Sequence, residues 1–234
     1  MATLTAVLAL AGCEAPGGVL KPLPPPLVHT PRVSPPKPLP STPKPRVTDR
    51  SLRGATIVVD AGHGGRDPGA WKGKGVVSKL PEKTIVLDIA KKLRPLLAKR
   101  GANVVMTRTT DVEVTKNHRA ALAERNHADL FVSIHADSAP RTSASGAEVY
   151  MYTKASAQSQ KAAHRMLAAF KKGGIHYRGI HRRNFHVLRE HSRPAILIEC
   201  GFLTNRSDAQ KLNSASYRAR LAEVIADGLS LIHI

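Results

Sequence analysis

Acidic residues are scarce in this chain. Seventeen Asp and Glu face 36 Lys and Arg, giving a formal charge of +19 at pH 7 and a pI near 10.5. That balance points to polyanionic partners: nucleic acid, an anionic lipid surface or an acidic wall polymer. Neither a zinc-finger spacing nor an RNA-module signature accompanies it, which argues against nucleic acid. The two cysteines, Cys13 and Cys200, allow one disulfide at most, and their settings suggest separate roles. Aromatics make up only 4%, but Leu, Ile, Val and Ala are plentiful enough to build a core. No later stretch approaches the roughly 20 apolar residues that a membrane span needs. The phosphate-binding patterns GxxxxGK[ST] and GxGxxG are also missing, so the glycine-rich stretch described below is a poor nucleotide loop.

The N-terminal stretch "LTAVLALAGC" has no Lys or Arg before it, so the basic start of a secretory leader is missing. Its ending resembles the lipobox of bacterial lipoproteins, with an ordinary cleaved secretory signal as the alternative. The resemblance implies a leader over residues 1–12, lipid modification of Cys13, and export to the cell envelope as a periplasmic protein anchored to the outer membrane. Twelve of the seventeen prolines fall in residues 14–50, which favours an extended tether over a packed element, so 13–52 reads as a linker.

From residue 53 the pattern changes to one domain, 53–234. Apolar runs at 55–60, 103–107, 129–134, 147–152 and 195–199 read as strands. Helical periods occupy 82–101, 117–128, 156–172 and 214–231, and Pro95 is expected to kink or shorten the first. Strands alternating with helices predict an α/β fold: a single domain with a twisted, mostly parallel (mixed) sheet flanked by helices on both faces.

Three of these strands run directly into a chemically active side chain: "IVVDAGH" into His63, "DLFVSIH" into His135 and "AILIE" into Glu199. In open α/β sheets ligands bind beyond the carboxyl ends of the strands, so neighbouring strands would bring the three together. A single strand-end histidine is more often structural; two with a carboxylate weaken that reading. Glu199 continues an apolar run, where a charge is costly unless paired, so it is either a general base or half of an ion pair with Arg189 or Arg193. Glu82, following Pro81 in the first helical turn, is a candidate third metal ligand, although a first-turn Glu also simply complements the helix dipole.

The segments "VVDAGHGGRDPGA", "PEKTIVLDIAKKL", "TRTTD", "HRAALAERNHADLFVSIHAD", "GAEVYMY" and "VLREHSRPAILIECGFLTN" occur in one order. In that order they resemble the zinc-dependent N-acetylmuramoyl-L-alanine amidases of bacterial cell walls, over residues 54 to about 230. The resemblance implies one Zn2+ held by His63, Glu82 and His135, with Glu199 as the catalytic residue. It also implies hydrolysis of the amide between N-acetylmuramic acid and L-alanine in peptidoglycan, serving wall remodelling or daughter-cell separation. Asp137 stands where the family more usually has Asn. Asp60 is a candidate to orient a ligand imidazole or to cap a turn, and Arg189 to contact the stem peptide or lie on the surface. Gly62, Gly64 and Gly65 are expected to let the turn fold tightly and to leave space beside the ion. The positive charge is expected to hold a monomeric enzyme on anionic wall polymer or lipid. The stretch between the fifth and sixth segments is too short for the inhibitory helix of some relatives. A catalytically silent peptidoglycan-binding protein is the competing reading, and the four retained residues argue against it.

Overall fold

The computed structural model describes residues 51–73 and 75–230. The leader, Cys13, most of the Pro-rich stretch and the C-terminal residues 231–234 lie outside them. The first apolar run forms β1 (Thr56–Ala61), followed by α1 (Glu82–Lys99), β2 (Asn103–Met106), α2 (Lys116–Arg125) and β3 (Leu130–Asp137). Then come β4 (Ala147–Met151), α3 (Ala157–Lys172), β5 (Tyr177–Arg182), the single turn α4 (His186–Arg189), β6 (Ala195–Phe202), α5 (Arg206–Asn213) and α6 (Ala215–Ser230). The six strands form one sheet in the order β2-β1-β3-β6-β4-β5, and every neighbouring pair is parallel except β4 with β6. The domain is thus a mixed α/β fold of the kind the alternating pattern predicts.

Both sheet faces are covered. Ile57, Val59, Val132, Ile134, Ile196 and Ile198 belong to one apolar cluster with α1, α3 and α6. Val58, Phe131 and Leu197, one position out of phase, belong to a second with Ala123 of α2 and Val187 and Leu188 of α4. Burial on both sides explains why the central strands read as continuous apolar runs rather than alternating ones.

The connectivity also creates a crevice. From β1 the chain crosses through α1 to β2 on one side and returns through α2 to β3 on the other. The loops leaving β1 and β3 therefore diverge, which opens a ligand crevice at the carboxyl ends of those strands.

Pro95 lies inside α1. It neither ends α1 nor shortens it, and the helix runs on to Lys99. Pro95 lies on the exposed face with Lys91 and Arg94, so the carbonyl it leaves unpaired, that of Lys91, has access to water. β5, α4 and α5 had no counterpart in the apolar pattern, and β6 continues three residues beyond "AILIE".

Candidate metal centre

The register of the sheet aligns the active side chains. Asp60 pairs with Ser133, Ser133 with Leu197 and Leu197 with Tyr150, forming one row on the face covered by α2 and α4. Two residues further toward the carboxyl ends, the Gly62 amide bonds to the Ile134 carbonyl at 3.0 Å, His135 pairs with Glu199, and Glu199 with Glu148. With a period of two, that second row points to the same face. A register shift between His135 and Asp137 ends the regular pairing just there.

His63 follows β1 with a φ of +58°, a left-handed conformation rare for a side chain with a Cβ. Two arginines hold it in place. Arg119 donates from Nη1 to the Asp60 carboxylate (2.6 Å) and the Ala61 carbonyl (2.7 Å), and from Nη2 to the His63 carbonyl (2.7 Å). Arg108 donates to the carbonyls of Ala61 (2.9 Å), Gly62 (2.7 Å) and Lys83 (2.9 Å), tying the turn to the start of α1. Lys83 adds a bond to the Gly65 carbonyl and an ion pair to Asp111, each at 2.7 Å.

Glu82, the first residue of α1, lies between the two imidazoles. Its Oε1 is 3.1 Å from His63 Nε2 and 3.0 Å from His135 Nδ1, and accepts the Ala136 amide at 3.0 Å. Oε2 accepts the Ala70 amide at 2.8 Å. Burial opposes the Glu82 charge, but the two histidines outweigh it and hold the carboxyl far below the usual range. One ligand atom from each of His63, Glu82 and His135 falls within 4.8 Å of the others. Two imidazoles and a carboxylate make a donor set that suits zinc, which in catalytic sites takes three protein ligands and keeps one position open. His63 Nδ1 pairs with Asp67 Oδ2 at 2.7 Å, leaving Nε2 turned toward Glu82. Burial lowers the His63 pKa, and Glu82 and Asp67 together raise it above the ordinary value.

Two glycines make room here. A Cβ on Gly62 would come within 2.3 Å of the His135 ring, and one on Gly69 within 2.5 Å of Glu82 Oε2 and 2.8 Å of His63. Gly64 and Gly65 do not serve the site in the expected way. Their hypothetical Cβ atoms would strike Val112 and Glu113, so they admit the 108–113 loop rather than an ion.

Glu199 has neither of its expected ion-pair partners. Arg193 donates to the carbonyls of Ala128 (2.6 Å) and His127 (3.0 Å), and Arg189 to Glu190 (2.5 Å) and Asn184 (3.2 Å). Glu199 Oε2 is inaccessible to solvent and has no hydrogen-bond partner. Burial, then the charges of Glu82, Asp137 and Glu148, push its carboxyl well above the usual carboxylate range. Such an oxygen, beside three converging donors, is suited to hold and release a proton.

The remaining candidates fall differently. Asp60 is fully buried and accepts from Thr107 and Ser133 (2.7 Å each) as well as Arg119, so it reaches His63 through Arg119; the imidazole is oriented instead by Asp67. Asp137 accepts its neighbour's amide, Ser138 N, at 2.6 Å, and burial raises its pKa. Arg189 is not among the residues lining the cavities at the site. Asp67, Arg108 and Arg119 were missed from sequence. Asp67 alone left a signal, an acid four residues after His63.

Two recesses share His63, His135 and Glu199. One, about 270 Å³, extends along Val114, Lys116, Phe185, His186 and Val187. The other, about 490 Å³, extends along Ala70, Trp71, Lys72, Gly73, Val76 and Ser138.

Residues 57–230 match the family described as N-acetylmuramoyl-L-alanine amidase. The probable cell wall amidase LytH of Staphylococcus epidermidis is 38% identical over 185 residues, covering 78% of this chain and 60% of its own. The chain therefore spans about three fifths of the length of that relative. An N-acetylmuramoyl-L-alanine amidase from Clostridium difficile superposes with a TM-score of 0.70 at 39% identity, over 75% of this chain and 94% of its own. The catalytic domain of CwlV, an amidase of Bacillus (Paenibacillus) polymyxa, does so with 0.68 at 37%, over 75% and 96%.

Proposed function

The chain belongs to the N-acetylmuramoyl-L-alanine amidase family, and from that premise we propose that it hydrolyses the amide between N-acetylmuramic acid and L-alanine in peptidoglycan. The observation that carries the reading is the buried, unpartnered Glu199 oxygen beside His63, Glu82 and His135. In this reading the three residues hold one Zn2+, which when bound polarises the scissile carbonyl and eases deprotonation of water. Glu199 takes the proton of the attacking water and passes it to the departing alanine nitrogen, a relay for which its unpartnered oxygen is available. Asp67 fixes the tautomer and orientation of His63, and Glu82 is steadied by the Ala70 and Ala136 amides.

Digestion of purified sacculi is expected to release stem peptides beginning at L-alanine, identified by mass spectrometry. A strong chelator should abolish the release and Zn2+ restore it. Glu199→Gln is expected to lower kcat at least about a hundredfold while metal content stays at one ion per chain. Release that survives chelation, or full activity in the Gln variant, would sink the mechanism.

The name of the relative LytH, a probable cell wall amidase, supports a location at the cell envelope. The exact location of this chain we propose from the sequence alone: a periplasmic, monomeric enzyme anchored to the outer membrane by lipid on Cys13, with 13–52 as a tether and 53–234 as the catalytic domain. Labelled palmitate should enter the wild-type protein and not Cys13→Ser; equal labelling would refute the anchor.

A further inference from the structure

We propose that Trp71 forms a subsite for the glycan strand, an assignment that rests on the amidase reading above. The scissile amide joins two unlike substituents, and two recesses meet at Glu199, so each recess must take one of them. The substituents differ in charge: the stem peptide bears carboxylates, whereas the sugar chain is neutral and presents C–H faces.

The recesses differ in a matching way. The smaller one carries Lys116 and His186, while its acids Asp60 and Asp67 are already bonded to Arg119 and His63. That lining suits an anionic peptide. The larger recess is lined by Lys72, Glu82 and Asp137 together with the half-buried indole of Trp71, the only aromatic side chain there besides His63 and His135. An aromatic face carries negative quadrupole charge and attracts the polarised C–H bonds of a pyranose. The Lys72 ammonium, 5.4 Å from the ring centroid, adds a cation–π contact within the loop. At about 490 Å³ the recess is within the range of sites for small ligands.

Trp71 is the only tryptophan in the chain, so its emission reports on this recess alone. The full-length protein is titrated with a neutral N-acetylglucosamine oligosaccharide and, separately, with a free stem peptide. A saturable change in emission with the oligosaccharide and none with the peptide is expected. By calorimetry, Trp71→Ala should bind the oligosaccharide about tenfold more weakly, and Trp71→Phe within threefold of wild type. Circular dichroism checks that both variants are folded. A response to peptide but not to glycan, no saturable glycan response, or undiminished binding by the Ala variant overturns the proposal. Sacculus digestion keeps the two readings apart. Stem-peptide release without a glycan response removes the subsite alone, whereas Trp71-dependent glycan binding without release removes the amidase reading.

Discussion

Asp60 and Glu199 are both buried carboxylates on one face of the sheet, one row apart, and their surroundings drive them in opposite directions. Burial raises both. At Asp60 the Arg119 charge and the Ser133 hydroxyl outweigh it and the pKa falls; at Glu199 no donor answers, and neighbouring acids push it further up. One carboxylate is committed to holding structure and the other is free for proton transfer. Asp60→Asn should therefore damage the fold before it damages the chemistry, because it leaves the Arg119 charge buried without its counter-ion. The expected cost is about 3–5 kcal/mol at pH 7. The sign with pH follows from the lowered pKa. Asp60 stabilises fully above the unfolded value, near 3.9, and loses that contribution as pH falls through its lower folded value. Urea midpoints of wild type and variant should lie far apart at pH 7 and converge as the buffer is taken below about pH 4. A gap that stayed constant with pH would mean the Asp60 charge is not what stabilises Arg119.

At the scale of elements, β1, β3 and β6 were legible because they are buried on both faces and their apolar runs end abruptly at Asp60 and Gly62, His135 and Glu199. β5 was not: as the outer strand it is half-exposed and carries Arg178, Gly179, His181 and Arg182, which show no period of two. α4 is one turn, and α5 is short and largely polar, so neither leaves a periodic trace. The candidate ligands were readable as residue types, but not their meeting point. That depends on strand order, on the Gly62–His135–Glu199 register, and on two arginines whose targets are backbone carbonyls. Pro95 shows the limit of a local rule, since a solvent-facing position tolerates it within α1. Tolerated is not neutral. Proline inside a helix costs about 3 kcal/mol relative to alanine, offset by up to about 1 kcal/mol from its stiffening of the unfolded chain. Pro95→Ala is thus expected to raise stability by about 2–3 kcal/mol, seen as a higher urea midpoint at unchanged m-value. A lower midpoint would show that α1 has been fitted to the proline.

For the whole molecule, the charge belongs to the domain rather than to the proline-rich stretch. Residues 1–50 hold six Lys and Arg and two Asp and Glu, so residues 51–234 hold thirty and fifteen, a net +15. Nor is it evenly spread. Between Glu148 and Glu190 the sequence has nine Lys and Arg and no acid. This span builds α3, β5 and α4, and Lys154, Arg165, Lys171, Lys172, Arg182 and Arg183 in it are exposed. β5 is an outer strand of the sheet, so this basic span includes one edge of the domain. A basic span of that kind, on a domain of net +15, attracts an anionic wall at long range, and salt shortens that range to about 8 Å at physiological ionic strength. A small soluble muropeptide presents little such charge and is held by the site alone. Raising salt from 50 to about 300 mM is therefore expected to reduce hydrolysis of intact sacculi several-fold more than hydrolysis of the soluble fragment. Lys171→Glu combined with Lys172→Glu should flatten the salt dependence on sacculi, because part of the attraction is then already lost. Equal salt sensitivity on the two substrates, or an unchanged profile in the double variant, would detach the positive charge from substrate capture.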